Sequence, residues 1–368
     1  MRVAVVGPTY PLKGGVAAHT TELAHRLAGA GHRTELVSWS RLYPKLLYPG
    51  EQAVPGGVPD VPPFPATIRP LSWGRPDTWV RTGRSLRGVD QVALVHVVPA
   101  VVPAHLALLR SLGRDVPVTV IAHNVLPHEP HRGDERLVRA LLRRAGAVLV
   151  HSAEQAELAT SLGAPEVRQV ALPPHLPGGP AVARTPSDGP LRLLALGMVR
   201  EYKGTDLLIE ALRGVPGVRL TVAGELWGAA GERVRRLATS PELADRVVLR
   251  SGYVPGPALA GLLAEHDVLA LPYRSATSSQ NAQLGFAHGL PVLATRTGTF
   301  AADVHDGVDG LLVEPDDVPA LSEALRRLTG PGELDRLCAG IRPPDLDTPW
   351  KHYLSALLGD AGQDAGAR

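Results

Sequence analysis

Residues 191–212 read LRLLALGMVREYKGTDLLIEAL. Arg192 to Leu196 is an apolar run of strand length, Gly197 ends it, and Asp206 to Leu212 reads as a helix. The chain opens the same way. Val3 to Val6 is a strand ending at Gly7, and Val16 to Leu27 places Val16, Leu23 and Leu27 near helical spacing before Gly29 and Gly31. Thr34 to Trp39, Val92 to Val98, Val118 to Ala122 and Ala147 to Val150 are further strands, with a helix over Glu135 to Arg144. After residue 191 the alternation restarts, with strands at Arg219 to Ala223, Val247 to Leu249, Val268 to Leu271, Val292 to Ala294 and Leu311 to Val313. Short apolar strands separated by helices predict parallel sheets covered on both faces.

Residues 173–190, PPHLPGGPAVARTPSDGP, interrupt the pattern and read as a linker. The prediction is an α/β protein of two doubly wound, Rossmann-like domains, 1–172 and 191–346, facing across a cleft. A C-terminal helix within 347–360 is expected to pack back on the first domain. Residues 41–90 hold nine prolines between Pro44 and Pro76, show no period and read as a long loop.

Composition narrows the function. With 368 residues the chain is long enough for two domains, and its formal net charge of +2 gives no broad basic field for nucleic acid. Cys338 is alone, which excludes an internal disulfide framework and a cysteine zinc site. No apolar run reaches the roughly 18 residues of a membrane span. The apolar start is too short for a signal peptide, which predicts a cytoplasmic protein. Arg136, Arg139 and Arg143 lie along one face of the helix within 132–144, either as a solvated face or as a peripheral contact to an anionic membrane. Only four of the 38 basic residues are lysines: Lys13, Lys45, Lys203 and Lys351.

Four stretches carry chemistry, and all follow predicted strands. Gly14, Gly15 and Val16 open the first helix, where backbone N–H groups suit an anion, although a plain tight turn has the same glycines. Arg200 and Lys203 fall where strand passes into helix, and on one helical turn the two cations point to one side and suit a diphosphate. The stretch from Pro272 to Gln283 crowds hydroxyls and amides, more than helix capping requires. His123, Asn124, His128 and Glu129 follow the strand ending at Ala122, and His123 is a candidate ligand or acid–base group. No GxGxxG, GxSxG, HExxH or P-loop motif occurs. Asp345 and Asp347 lie away from every strand end, so no metal site is predicted.

In this order the stretches resemble the retaining, nucleotide-sugar-dependent glycosyltransferases of family 4, which have the GT-B fold. GPTYPLKGGVAAHTTELAHRLAGAGHRTELVSW, VIAHNVLPHE, GMVREYKGTDLLIEAL and LALPYRSATSSQNAQLGFAHGLPVLAT carry the resemblance, which spans about residues 1–330. It implies transfer of a sugar from a nucleoside-diphosphate donor, commonly UDP-linked, to a saccharide, lipid-linked or small natural-product acceptor, with no metal cofactor. It implies donor contacts from Gly14, Gly15, Val16, Tyr253, Val254, Ser279 and Gln283. Arg200 and Lys203 would neutralise the departing diphosphate, and His123 would touch the transferred sugar. His19, Asn124, His128 and Glu129 would shape the acceptor site. The family's two glutamates fall on Ala276 and Leu284, a third on Ala302 beside Asp303, and an arginine on Met198. Those departures keep open a non-catalytic nucleotide-sugar-binding relative, and the same fold also serves sugar-nucleotide epimerases.

Overall fold

The computed structural model describes residues 1–43, 52–54, 57, 59, 61–127, 131–177, 179, 181–184, 189–276 and 279–359. They form two compact units, Met1–His175 with Leu346–Arg368, and Leu176–Asp345.

The first unit runs β1 (Arg2–Val6), α1 (Gly15–Gly29), β2 (Arg33–Arg41), β3 (Thr67–Ser72), α2 (Pro76–Ser85), β4 (Gln91–His96), α3 (Val102–Leu112), β5 (Val118–Ala122), α4 (Asp134–Leu142), β6 (Ala147–Val150), α5 (Ala153–Ser161) and β7 (Val167–Gln169). All seven strands pair in parallel in the order β3-β2-β1-β4-β5-β6-β7. The second unit runs β8 (Leu191–Leu196), α6 (Thr205–Ala211), β9 (Val218–Gly224), α7 (Gly228–Ala238), β10 (Val247–Ser251), α8 (Gly256–Ala264), β11 (Val268–Leu271), α9 (Asn281–Ala287), β12 (Val292–Thr295), α10 (Phe300–Asp303), β13 (Gly310–Val313), α11 (Val318–Leu328) and α12 (Glu333–Gly340). Its parallel sheet has the order β10-β9-β8-β11-β12-β13. The last described helix, α13 (Thr348–Leu358), belongs to the first unit.

Both sheets reverse their order once, between β1 and β4 and between β8 and β11. At such a switch the loops leaving the two strands turn to opposite faces of the sheet. A crevice then opens at the carboxyl ends, where open α/β sheets bind ligands. The strands read as continuous apolar runs because both faces are covered. Val3, Ala4, Val5 and Val6 are all fully buried.

Two elements correct the sequence reading. The proline-rich stretch 41–90 is not a loop throughout, since it contains β3 and α2. Pro70 is tolerated in β3 because that strand is at the sheet edge and pairs only with β2, with shifts in register. The buried residues of α2 are the small Thr82 and Gly83, pressed on α3, so apolar spacing did not reveal the helix. Helix α5, which no apolar spacing marks, follows the N-cap Ser152, whose side chain accepts from the Gln155 N–H.

Helix α13 covers the face of the first sheet that α1 also covers. Trp350, Tyr353 and Leu357 stand at i, i+3 and i+7 and are buried against Leu23, Leu27, Ile121 and Leu149. Its C-terminal carbonyls are not left bare. The Leu357 carbonyl accepts from Gln91 Nε2 (2.9 Å), Thr119 Oγ1 (3.3 Å) and Arg168 Nη1 (3.0 Å). Asp347, just before the helix, pairs with Arg26 at 2.6 Å. None of the described helices is long and apolar enough to cross a membrane.

Candidate functional site

Each unit gathers polar groups at the carboxyl ends of its strands. In the second unit β8 ends at Leu196 and the chain turns through Gly197 (φ +101°). That φ favours glycine, and the Lys203 ammonium lies close over the bare backbone, 2.8 Å from where a Cβ would stand. Arg200 is extended, and one 3₁₀ turn, Glu201–Lys203, follows before α6. The expectation that Arg200 and Lys203 share a first helical turn is therefore corrected. Arg200 lies over Trp227, 5.2 Å from the ring centroid, whereas Lys203 Nζ folds back to 5.4 Å from the Tyr273 ring.

Burial disfavours the charged form of Lys203. The phenol groups of Tyr273 and Tyr202, with a hydrogen bond to Tyr273, outweigh that and hold its pKa above the ordinary lysine value. The ammonium is charged at neutral pH. Tyr273 is itself buried and packs edge to face on Tyr202 and Phe300. Asn281 Nδ2 donates to its hydroxyl at 3.2 Å, and its carbonyl accepts from Thr295.

The loop after β11 interlocks with the turn before α6. Gly204 (φ +61°) presses on the Pro272 carbonyl so closely that a Cβ would lie 2.0 Å from the oxygen. Ser279 accepts from the Asn281 N–H at 3.4 Å, and Gln283 Nε2 donates to Asp303 at 3.3 Å. Burial raises the Asp303 carboxyl, although hydrogen bonds from Thr299 and Gln283 oppose the shift. Tyr253 and Val254 are half-buried after β10, and Val254 packs on the cluster containing Tyr273. Leu284, where the family's second glutamate falls, is 3% exposed in that cluster and serves packing. Thr277 and Ser278 lie outside the described residues.

In the first unit Gly14 is the N-cap of α1, with no side-chain cap and no acidic residue in the first turn. Gly14 and Gly15 are exposed and Val16 half-buried. His175 Nε2 lies 3.0 Å from the Gly15 carbonyl. The three strands β4, β5 and β6 deliver His96, His123 and His151 at or just past their ends. His96 and His151 repeat the strand-end placement of His123, a pattern the sequence itself carries. Gln155 Oε1 accepts from the Val125 N–H at 2.7 Å and pins the loop that carries His123 and Asn124.

His19 is corrected as an acceptor-facing residue, because it is fully enclosed. Its ring lies 4.7 Å from His123 and 5.1 Å from His175, and stacks on Trp350 at 5.3 Å. It supports the ring of His123 from behind. Desolvation first, then the neighbouring imidazoles, keep His19 and His123 well below the usual histidine pKa, so both are neutral at pH 7. His123 therefore offers a neutral hydrogen-bonding group rather than an imidazolium acid. Among the described residues no group of three or more His, Cys, Asp or Glu has a metal-holding arrangement. His128 and Glu129 lie outside the described residues.

Comparison with known proteins identifies the family. Residues 13–174 match Glycosyltransferase Family 4, and residues 190–330 match Glycosyl transferases group 1. The D-inositol 3-phosphate glycosyltransferase of Xylanimonas cellulosilytica is 32% identical over 247 residues, 61% of this chain and 58% of that protein. The chain spans about half the length of the curated relatives it matches, 58%, 48% and 50% for the first three. Sucrose-phosphate synthase from Thermosynechococcus elongatus has the same fold, with a TM-score of 0.72 at 19% identity over 98% of this chain and 100% of that one. Anabaena HepE, solved in complex with UDP-glucose, gives 0.72 at 14% identity over 97% and 99%. With two parallel α/β sheets of the GT-B kind and both halves matched, the chain belongs to the group 1, family 4 glycosyltransferases.

Proposed function

We propose that the chain transfers a sugar from a nucleoside-diphosphate donor, UDP-linked, to a hydroxyl acceptor, with retention of anomeric configuration and without a metal ion. The observation that carries this reading is the Lys203 ammonium, held charged over Gly197 at the β8/β11 switch point, with Arg200 on the extended segment just before its turn. Cleavage of a sugar–diphosphate bond places negative charge on the leaving oxygens, and fixed cations at a strand end stabilise that charge as it develops. Family membership supports the reaction class, and the HepE complex with UDP-glucose supports a UDP-linked donor.

Ser279, Gln283, Tyr253 and Val254 are the second unit's further donor contacts. Gly14, Gly15, Val16 and His123 are the first unit's share, with the α1 N-terminus offering N–H donors to phosphate and neutral His123 a hydrogen bond to the sugar. Retention fits a same-face attack in which the leaving phosphate accepts the acceptor's proton, so no carboxylate base is required. The acceptor is a saccharide, a lipid-linked saccharide or a small natural product.

A thermal-shift screen against UDP-, GDP-, ADP- and dTDP-sugars tests the donor, because a ligand that binds only the folded state raises Tm. UDP-sugars are expected to give the largest shift. Lys203→Ala is expected to lower turnover by about a hundredfold or more, the loss typical of removing a charge-stabilising donor. Near-normal turnover in that variant would sink the assignment.

A further inference from the structure

One guanidinium outside the predicted contacts holds the donor site of the second unit together. Arg274 lies three residues past β11. Its Nη1 and Nη2 fork onto the two carboxylate oxygens of Asp206, in the first turn of α6, at 2.9 Å each. Nη1 also donates to the Glu201 carbonyl at 2.7 Å, and the Arg274 backbone N–H donates to the Tyr202 carbonyl at 2.7 Å. On its other side Nε reaches Asp316 at 2.9 Å. The Arg274 and Asp206 side chains are 22% and 14% exposed, so water screens this pair less than an open surface pair.

Two of those bonds land on the carbonyls of the 3₁₀ turn that carries Lys203. Within the turn the backbone bonds are Lys203 N–H to Arg200 and Gly204 N–H to Glu201, a short three-residue element, and Arg233 from α7 also pairs with the Glu201 carboxylate and, at 3.0 Å, with Asp206. The neighbour of Arg274, Tyr273, supplies the ring and hydroxyl that meet the Lys203 ammonium. Asp316 adds a separate indication. It is the only non-glycine at positive φ (+59°) among the described residues, a strained conformation that persists where surrounding contacts demand it. Its carboxylate, 61% exposed, pairs with Arg274 from the solvent side.

We infer that Arg274 is a positioning residue for Lys203. It fixes the 201–203 turn against the loop after β11, so that the ammonium stands where a donor's terminal phosphate binds. This inference rests on the donor reading above. Arg274 touches no donor in it and acts through the turn. Lysine cannot substitute, because it lacks the fork that reaches Asp206, Glu201 and Asp316 together.

The test is calorimetric binding of the diphosphate and the monophosphate of one base, chosen as the best-bound among UDP, GDP, ADP and dTDP, to the full chain. Lys203→Ala sets the full effect of losing the ammonium. Arg274→Gln and Arg274→Lys are expected to weaken the diphosphate by about tenfold, the scale of a charge-assisted hydrogen bond, and to leave the monophosphate within about twofold. Asp316→Gly keeps the positive φ without strain and is expected to show the same selective loss, smaller in size, in a protein no less stable. That variant decides the matter if Arg274→Gln does not fold. Equal weakening of both nucleotides, or no weakening of either while the wild type prefers the diphosphate, overturns the positioning role and leaves the donor reading standing. A wild type that binds neither nucleotide overturns both.

Discussion

The imidazoles of His19 and His123 meet edge to face at 4.7 Å, and among the described residues neither ring nitrogen of His19 has a hydrogen-bond partner. A buried unsatisfied polar atom costs about 1–3 kcal/mol, and the stacked Trp350 ring offsets part of that. His19→Phe keeps the ring contacts and removes the two unpartnered nitrogens. Its Tm at pH 7 is expected to match or exceed the wild type. A drop of several degrees would show that the imidazole makes a hydrogen bond that matters.

Acid should unfold the first unit early. Burial lowers His96 and His151 from 6.5 to about 4 and His105 to about 3, with His96 adding to the shift of His105. The unfolded chain then binds more protons than the native one below pH 6.5. The contribution of these groups is complete above 6.5 and is lost as pH falls toward 4. For His96 and His151 the loss at pH 4 is about 3 kcal/mol each. Circular dichroism and tryptophan fluorescence against pH are expected to place the midpoint above pH 4. Stability that stays flat between pH 6.5 and 4.5 would contradict this.

Gly204→Ala sets a side chain into the Pro272 carbonyl and forces a non-glycine to φ +61°. A loss of about 2 kcal/mol or more is expected, since the conformation costs about 1–3 kcal/mol and the clash with the carbonyl adds to it. Denaturant unfolding reads it, and a wild-type midpoint would mean that the loop moves away freely.

Trp350→Ala empties the seam between α13 and α1. With Trp350 1% exposed, the expected loss is about 3–5 kcal/mol in the first unit. Hydrogen exchange should show faster amide exchange in α1 and β7, while the second unit's rates stay the same. Uniform protection in both units would contradict the assignment of α13 to the first.

The sheets and most strand ends were legible because they depend on local rules: apolar runs of three to seven residues, glycines after strands, and helical spacing between them. The Gly197–Gly204 segment could be placed on the same grounds. What those residues touch could not. Arg200 turns to Trp227, Lys203 to Tyr273, and His19 to His123, His175 and Trp350, all partners set by topology and not by spacing. Arg274 stood inside the quoted hydroxyl-rich stretch, yet its role depends on Asp206 and Asp316, which come into reach only when α6 and the end of β13 are in place. Helix α2 hid behind its small buried face, and β3 behind its proline.

The Leu357 carbonyl, gripped by Gln91, Thr119 and Arg168, also sets an order of events during synthesis. The first unit is interrupted in sequence by the whole of the second. On the ribosome, residues 1–175 emerge long before Trp350, Tyr353 and Leu357, and must wait with Leu23, Leu27 and Leu149 uncovered. The unit begun first is therefore the last to be sealed. A chain stalled or cut before α13 leaves an open apolar face on its amino-terminal half, the kind of surface that chaperones hold and that aggregates when they do not.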